Sequence, residues 1–285
     1  MHNASTTVDP ILCAPLLRKV DAQLIDLLRS LTPEEWGLQT IAPAWKVRDV
    51  AAHLLDTALR KLSLVRDGVR DDNFVEAAEI RSPADLVAFV NRLNREGVAV
   101  YRRLSPAILI ELMTAACNQS ADFHESLDPF APAAFNVSWA GEDRSLNWFD
   151  TARDLTERWH HQQQIRLATD RPGLMTPELY HPVLDCFLRG LPHAFRDVDA
   201  LTGTTVVVEI TGDCGGRWTL AKDPPAWTLI RNSEAEYKSR VTIPQALAWR
   251  LFTKGIDPAL IQPQIKVEGD PILGEKVLHL TAIVG

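Results

Sequence analysis

Thr151-Ala-Arg-Asp-Leu-Thr-Glu-Arg-Trp-His-His-Gln-Gln-Gln-Ile-Arg166 has the spacing of a helix and puts Glu157 and His161 four residues apart. Residues at i and i+4 lie one turn apart on the same face, with Cβ atoms about 5–6 Å apart, so a carboxylate and an imidazole there can converge on one ion. His160 points roughly 100° further round and loses that spacing. A second helical pattern, Val47-Arg-Asp-Val-Ala-Ala-His-Leu-Leu-Asp56, carries His53. Two histidines and a carboxylate suit a catalytic zinc-type ion, because three protein ligands leave the fourth position to water or substrate. Ligands drawn from two helices call for a helical bundle, in which sites are built from inward-pointing side chains of facing helices.

The rest of the first half supplies such helices. Thr32-Pro-Glu-Glu35 combines a capping residue, proline at the first helical position and a capping-box glutamate, and Ser82-Pro83, Ser105-Pro106 and Thr176-Pro177 repeat the cap-then-proline signal. Apolar periodicity through Leu16, Val20, Leu24 and Leu28, through Val50, Leu54, Ala58 and Leu62, and through Leu86, Val90 and Leu93 predicts helices near 9–30, 47–67 and 83–104, with others near 106–126 and 146–168. After about residue 200 the pattern changes. Thr204-Thr-Val-Val-Val-Glu-Ile-Thr211 is a β-branched run, Gly215-Gly216 offers a turn before Arg217–Leu220, and Trp227–Ile230 and Ser239–Ile243 add strands. A helix over Pro244–Phe252, a strand at Ile265–Glu268 and a final helix over 272–283 complete an α+β half. The Arg171-Pro-Gly173 break sets the boundary between the halves.

Composition narrows the function classes. At 285 residues, 46% hydrophobic and 24% charged, the chain has the make-up of a globular protein and no apolar run long enough to span a membrane. The N-terminus lacks the basic and apolar regions of a secretory signal, so the cytoplasm is the expected location. The net charge of −7 is dispersed, with no basic run of the kind a nucleic-acid binder carries. Cys13, Cys117, Cys186 and Cys214 show no CxxC spacing, which argues against a disulfide framework or a thiolate metal cluster. A monomer acting on small molecules is the expectation.

Trp45-Lys-Val-Arg-Asp-Val-Ala-Ala-His53 and Glu157-Arg-Trp-His-His161 resemble the two motifs, tryptophan-to-histidine and glutamate-to-histidine, of the mycothiol-dependent maleylpyruvate isomerase family. Ala246-Leu-Ala-Trp-Arg-Leu-Phe252 and the turn Val267-Glu-Gly-Asp270 are similar to that family's C-terminal domain. The resemblance covers about residues 10–285. It implies an α + α/β two-domain fold: a DinB-like metal-binding four-helix bundle over 1–172, then a smaller α+β sterol-carrier-like domain over 173–285. It also implies His53, Glu157 and His161 as ligands of a divalent metal, zinc, and a low-molecular-weight thiol such as mycothiol as partner to a small anionic electrophile. A basic residue of the C-terminal domain completes the family's site; Arg250 and Lys254 are the catalytic candidates, with Arg240 a further one. The implied reaction is isomerisation or S-transfer.

Competing readings attach to the same residues. Metal-assisted hydrolysis fits a metal-activated water. A non-enzymatic protein holding an apolar ligand in its C-terminal half fits a metal whose coordination is closed by His160 or Gln164. Arg153 either orients Glu157 or forms a surface ion pair, Trp45 and Trp159 either line the pocket or anchor the core, with core the reading for Trp45, and His124, His181, His193 and His279 lack ligand-spaced partners. Cys13 and Cys117, in apolar helical surroundings, read as inert thiols.

Overall fold

A computed structural model describes residues 8–69, 80–231 and 236–283. Helices form along the apolar periodicity: α1 (Ala14–Ser30), α2 (Val47–Lys61), α3 (Pro83–Tyr101), α4 (Pro106–Ser126) and α5 (Asn147–Ala168). The Ser82 and Ser105 hydroxyls accept from the backbone N–H groups of Asp85 and Ile108, satisfying donors that the first turns of α3 and α4 would otherwise leave free. At Thr32 the same signal yields less than a helix. Thr32 and Glu35 make reciprocal capping bonds of 2.7 and 3.4 Å. Only a 3-10 turn, Glu35–Gly37, follows, because the chain must extend at once for Gln39 to pair with Lys46. Helix α2 runs on into a π-helical turn, Leu62–Arg66.

Packing divides the chain into two compact units that interleave in sequence. One takes 13–134 and 157–174; the other takes the described part of 1–12 with 135–156 and 175–283. The boundary at 174/175 falls close to the Arg171–Gly173 break, whereas those at 134/135 and 156/157 were not read from the sequence. The segment 135–156, read from sequence with the bundle, packs in the sheet-containing unit, where Trp139 lies 6.1 Å from Phe149 and Arg189 covers the Trp148 ring at 5.8 Å.

A core of the helical unit is shared by Leu24 and Leu28 of α1, Val50, Ala51 and Leu55 of α2, Leu109 and Met113 of α4, and Ile165 of α5. A buried ion pair joins three of these helices. Arg158 donates to Asp21, and to the Ser120 hydroxyl at 2.6 Å, tying α5 to α1 and α4. Helix α3 lies against α2 so closely that a Cβ on Gly97 would stand 2.2 Å from the carboxyl carbon of Asp56.

The other unit is built on α6 (Pro177–Leu188), α7 (Leu191–Ala194), α8 (Gln245–Phe252), α9 (Pro258–Ile261) and α10 (Pro271–Leu278), with strands β1 (Thr205–Thr211), β2 (Gly216–Asp223), β3 (Ala226–Ile230), β4 (Ser239–Pro244) and β5 (Lys266–Gly269). The sheet order is β3-β2-β1-β4-β5, with β1 and β4 parallel and the other pairs antiparallel. Gly215 permits the β1–β2 turn, since a Cβ there would fall 1.9 Å from the Ile210 carbonyl oxygen. Val206, Val208 and Ile210 point to one face of the sheet and are buried. Helix α10 ends at Leu278, five residues short of the predicted 283, because the tail must extend for the Ala282 N–H to reach the Phe252 carbonyl at 2.9 Å. Among the described residues no helix is long and apolar enough to cross a membrane.

Candidate metal centre

Every residue of the candidate centre belongs to the helical unit. His53 sits in the middle of α2 between Ala51, Ala52, Leu54 and Leu55, all buried, and is itself 4% exposed. The start of α2 is set by Asp49, whose carboxylate accepts from the Lys46 backbone N–H at 3.0 Å and pairs with Arg102, the residue after α3, at 3.1 Å. Glu157 and His161 occupy consecutive turns of α5, which stops where Asp170 adopts a left-handed φ of 51°.

The three side chains meet. One donor atom from each of His53, Glu157 and His161 lies within 4.8 Å of the other two. His161 Nε2 is 3.4 Å from a Glu157 oxygen, about the spacing of two donors sharing a tetrahedral ion at ~2.1 Å. The imidazoles of His53 and His161 meet edge to face with centroids 4.6 Å apart. His53 Nδ1 is buried and has no hydrogen-bond partner among the described residues. An orphaned ring nitrogen beside a second imidazole and a carboxylate fits a cation, since leaving a buried polar atom unsatisfied otherwise costs free energy. Burial first, and the neighbouring His161 next, push the His53 pKa well down. His53 is therefore the neutral imidazole that metal ligation requires.

Several contacts were not legible in the sequence. Trp45 packs half-buried against the core, as expected, and its ring also stands 4.7 Å from His53 and 5.7 Å from His161. Its carbonyl is held by the Thr40 hydroxyl at 2.7 Å and the Gln39 amide at 2.9 Å, which fixes the strand-like approach to α2. His161 Nδ1 lies 2.9 Å from the Gln164 side-chain oxygen. His160 is buried, its ring 4.0 Å from that of His161. Trp159 is a core residue, donating to the Leu174 carbonyl at 3.2 Å.

Other sequence-named residues take separate places. Arg153 pairs with Asp150 and Asp154 at 2.7 and 2.6 Å. Arg250 and Lys254 belong to the sheet unit. The Arg250 guanidinium stands 5.6 Å from the Trp249 ring centroid, and Lys254 follows α8 at a φ of 58°. Arg240 pairs with Glu209 across β4 and β1. His181 lies against the Cys214 and Gly215 carbonyls. All four cysteines are buried and free of disulfides. The Cys117 thiol is pushed far up, by burial and then by Asp21, which removes it as a nucleophile at neutral pH.

The sequence model of the mycothiol maleylpyruvate isomerase N-terminal domain matches residues 17–166, a span that contains His53, Glu157 and His161. The chain belongs to this family. Two uncharacterized proteins of Mycobacterium tuberculosis, from strains CDC 1551 / Oshkosh and ATCC 25618 / H37Rv, are each 28% identical over 222 residues, covering 76% of this chain and 80% of their own. Crystal structures of the mycothiol-dependent maleylpyruvate isomerase, in its unmutated form and as a histidine-to-alanine mutant, align with a TM-score of 0.49 at 13% identity, covering 85% of this chain and 88% of theirs. Within the mycothiol maleylpyruvate isomerase family match, the two helices that carry the donor cluster are α2 and α5.

Proposed function

We propose that the protein is a metal-dependent, thiol-dependent isomerase or S-transferase acting on a small anionic electrophile of the maleylpyruvate type. The observation that carries this reading is the convergence of His53, Glu157 and His161 within 4.8 Å in a chain of the mycothiol maleylpyruvate isomerase family. These three residues would hold a divalent cation, with zinc the best fit to an imidazole and carboxylate set. When bound, such a cation supplies the positive charge that lowers the pKa of a nearby thiol to its reactive thiolate form.

The chain's own groups prepare that chemistry. Burial keeps His53 neutral, and its buried Nδ1 has no hydrogen-bond partner among the described residues. Glu157 adds one negative charge from a partly exposed position. The indole of Trp45 stands beside both imidazoles, and apolar surface there limits water access and lowers the local dielectric. We carry Arg250 and Lys254 into the proposal as candidate catalytic cations for an anionic substrate. The DinB-like and sterol-carrier-like affinities of the two halves, a monomeric state and a cytoplasmic location belong to the same proposal.

The test is metal analysis of the untagged protein by mass spectrometry beside His161→Ala, followed by assay of thiols, mycothiol first, with maleylpyruvate-like electrophiles. About one equivalent of zinc in wild type, lost in the variant, with thiol-dependent turnover that falls in Arg250→Ala or Lys254→Ala, is the expected result. Absence of stoichiometric metal after reconstitution, or ester and amide hydrolysis without any thiol dependence, overturns it.

A further inference from the structure

We propose that Gln164 is a positioning residue, whose side-chain oxygen holds the single imidazole proton of His161 on Nδ1 and so presents Nε2 as a lone pair to the cation. This rests on the metal-centre reading of the same site. A neutral imidazole has one N–H donor and one acceptor nitrogen, and the partner of one nitrogen sets the role of the other. In His161 both nitrogens have neighbours from the same helix. Nδ1 is 2.9 Å from Gln164 Oε1, three residues on, and Nε2 is 3.4 Å from Glu157 Oε2, four residues back.

The distances choose between the two proton positions. A hydrogen bond from an imidazole N–H normally spans about 2.7–3.2 Å, which the contact with Gln164 satisfies and the contact with Glu157 exceeds. A proton on Nε2 would point at the Glu157 carboxylate and turn the pair into a closed hydrogen bond with no lone pair for an ion. With the proton on Nδ1, Nε2 and the Glu157 oxygen are two acceptors side by side, an arrangement that a cation relieves. Gln164 is buried, so its amide competes with little water for this contact.

The neighbouring glutamines do not share the task. Gln163 donates to the Gly173 carbonyl at 2.9 Å, and the Gln162 amide is buried with neither polar atom partnered among the described residues. In the run Gln162-Gln163-Gln164, only the last is three residues beyond His161 and lies on its face.

The experiment compares wild type, Gln164→Met, which keeps the volume without the oxygen, and Gln164→Glu, which keeps an acceptor. Zinc affinity is measured by chelator competition, and the His161 tautomer by long-range 1H–15N spectra of the metal-free, 15N-labelled protein. Wild type is expected to show the Nδ1–H tautomer at His161. Gln164→Met should lose about 10–100-fold in zinc affinity, the usual range for such a partner, with the proton redistributed towards Nε2, while Gln164→Glu binds at least as tightly as wild type. An Nε2–H tautomer in wild type overturns the proposal even if Gln164→Met fails to fold. Wild-type affinity in Gln164→Met overturns the positioning role alone, whereas no zinc uptake by wild type overturns the metal-centre reading and the positioning role with it.

Discussion

His160→Ala and His161→Ala remove adjacent buried imidazoles whose rings are 4.0 Å apart, yet only the second takes an atom from the donor cluster. The expected outcome is that His53→Ala, Glu157→Ala and His161→Ala each lose most of the bound metal in mass-spectrometric analysis, while His160→Ala stays near wild type. Equal loss in all four variants would refute the ligand assignment. Asp21 and Arg158 make a second prediction at this scale. Both are buried, so Asp21→Asn removes the carboxylate that pairs with the buried Arg158 guanidinium and should cost about 3–5 kcal/mol in urea unfolding. The apolar double variant Asp21→Leu with Arg158→Met should recover most of that loss, because desolvation of the pair offsets much of its attraction. Residues were legible in the sequence when their role followed from spacing along one helix, as with Glu157 and His161. Trp45, Gln164 and the Asp21–Arg158 pair were not, because each owes its role to neighbours that spacing alone does not specify.

Contacts between elements give two more tests. Where α2 and α3 touch, Gly97→Ala would push a methyl group into the Asp56 carboxyl, which Arg60 holds at 2.8 Å. The overpacking should cost about 1–3 kcal/mol, read as a fall in thermal midpoint. The turn at Glu35 gives a pH dependence. The Arg171 guanidinium, and then the Thr32 backbone N–H, hold the Glu35 carboxyl below its usual value of 4.5. A carboxyl depressed on folding contributes stability that is present above its unfolded value and is lost as the pH falls through the folded one. Glu35→Gln should therefore lower the urea midpoint at neutral pH, with the difference from wild type shrinking progressively below about pH 4.5. An undiminished difference in acid would show that the contribution is not the carboxylate's charge. Helix starts at Ser82, Ser105 and Thr176 were readable because a cap, or the proline at the first helical position, acts within one turn. The Thr32 signal and the end of α10 misled because pairing elsewhere, of Gln39 with Lys46 and of Ala282 with Phe252, set where those segments stop.

At the scale of the whole molecule, the helical unit has an apolar core shared by α1, α2, α4 and α5, so the fold should persist without the ion. Chelation is expected to leave the helical circular dichroism unchanged. Zinc at about 100 times its dissociation constant should add roughly 2.7 kcal/mol of stability, and this increment should vanish in His53→Ala. Collapse of the helical signal on chelation would show that the ion organises the bundle. By itself the sequence determined that helices lie near 9–30, 47–67, 83–104, 106–126 and 146–168, which the structure trims at several ends, the strands that follow, and the one-face spacing of Glu157 with His161. These are local properties, written in periods of 3.6 and 2 residues and in caps that act within a turn. Tertiary structure decided how closely His53, which the family resemblance had joined to that pair, approaches it, that 135–156 packs with the sheet, that β4 joins β1 in parallel, and that Trp45 and Gln164 flank the donors. Those facts arise when faces formed by distant segments bury one another, and spacing along a single segment carries no record of its partner.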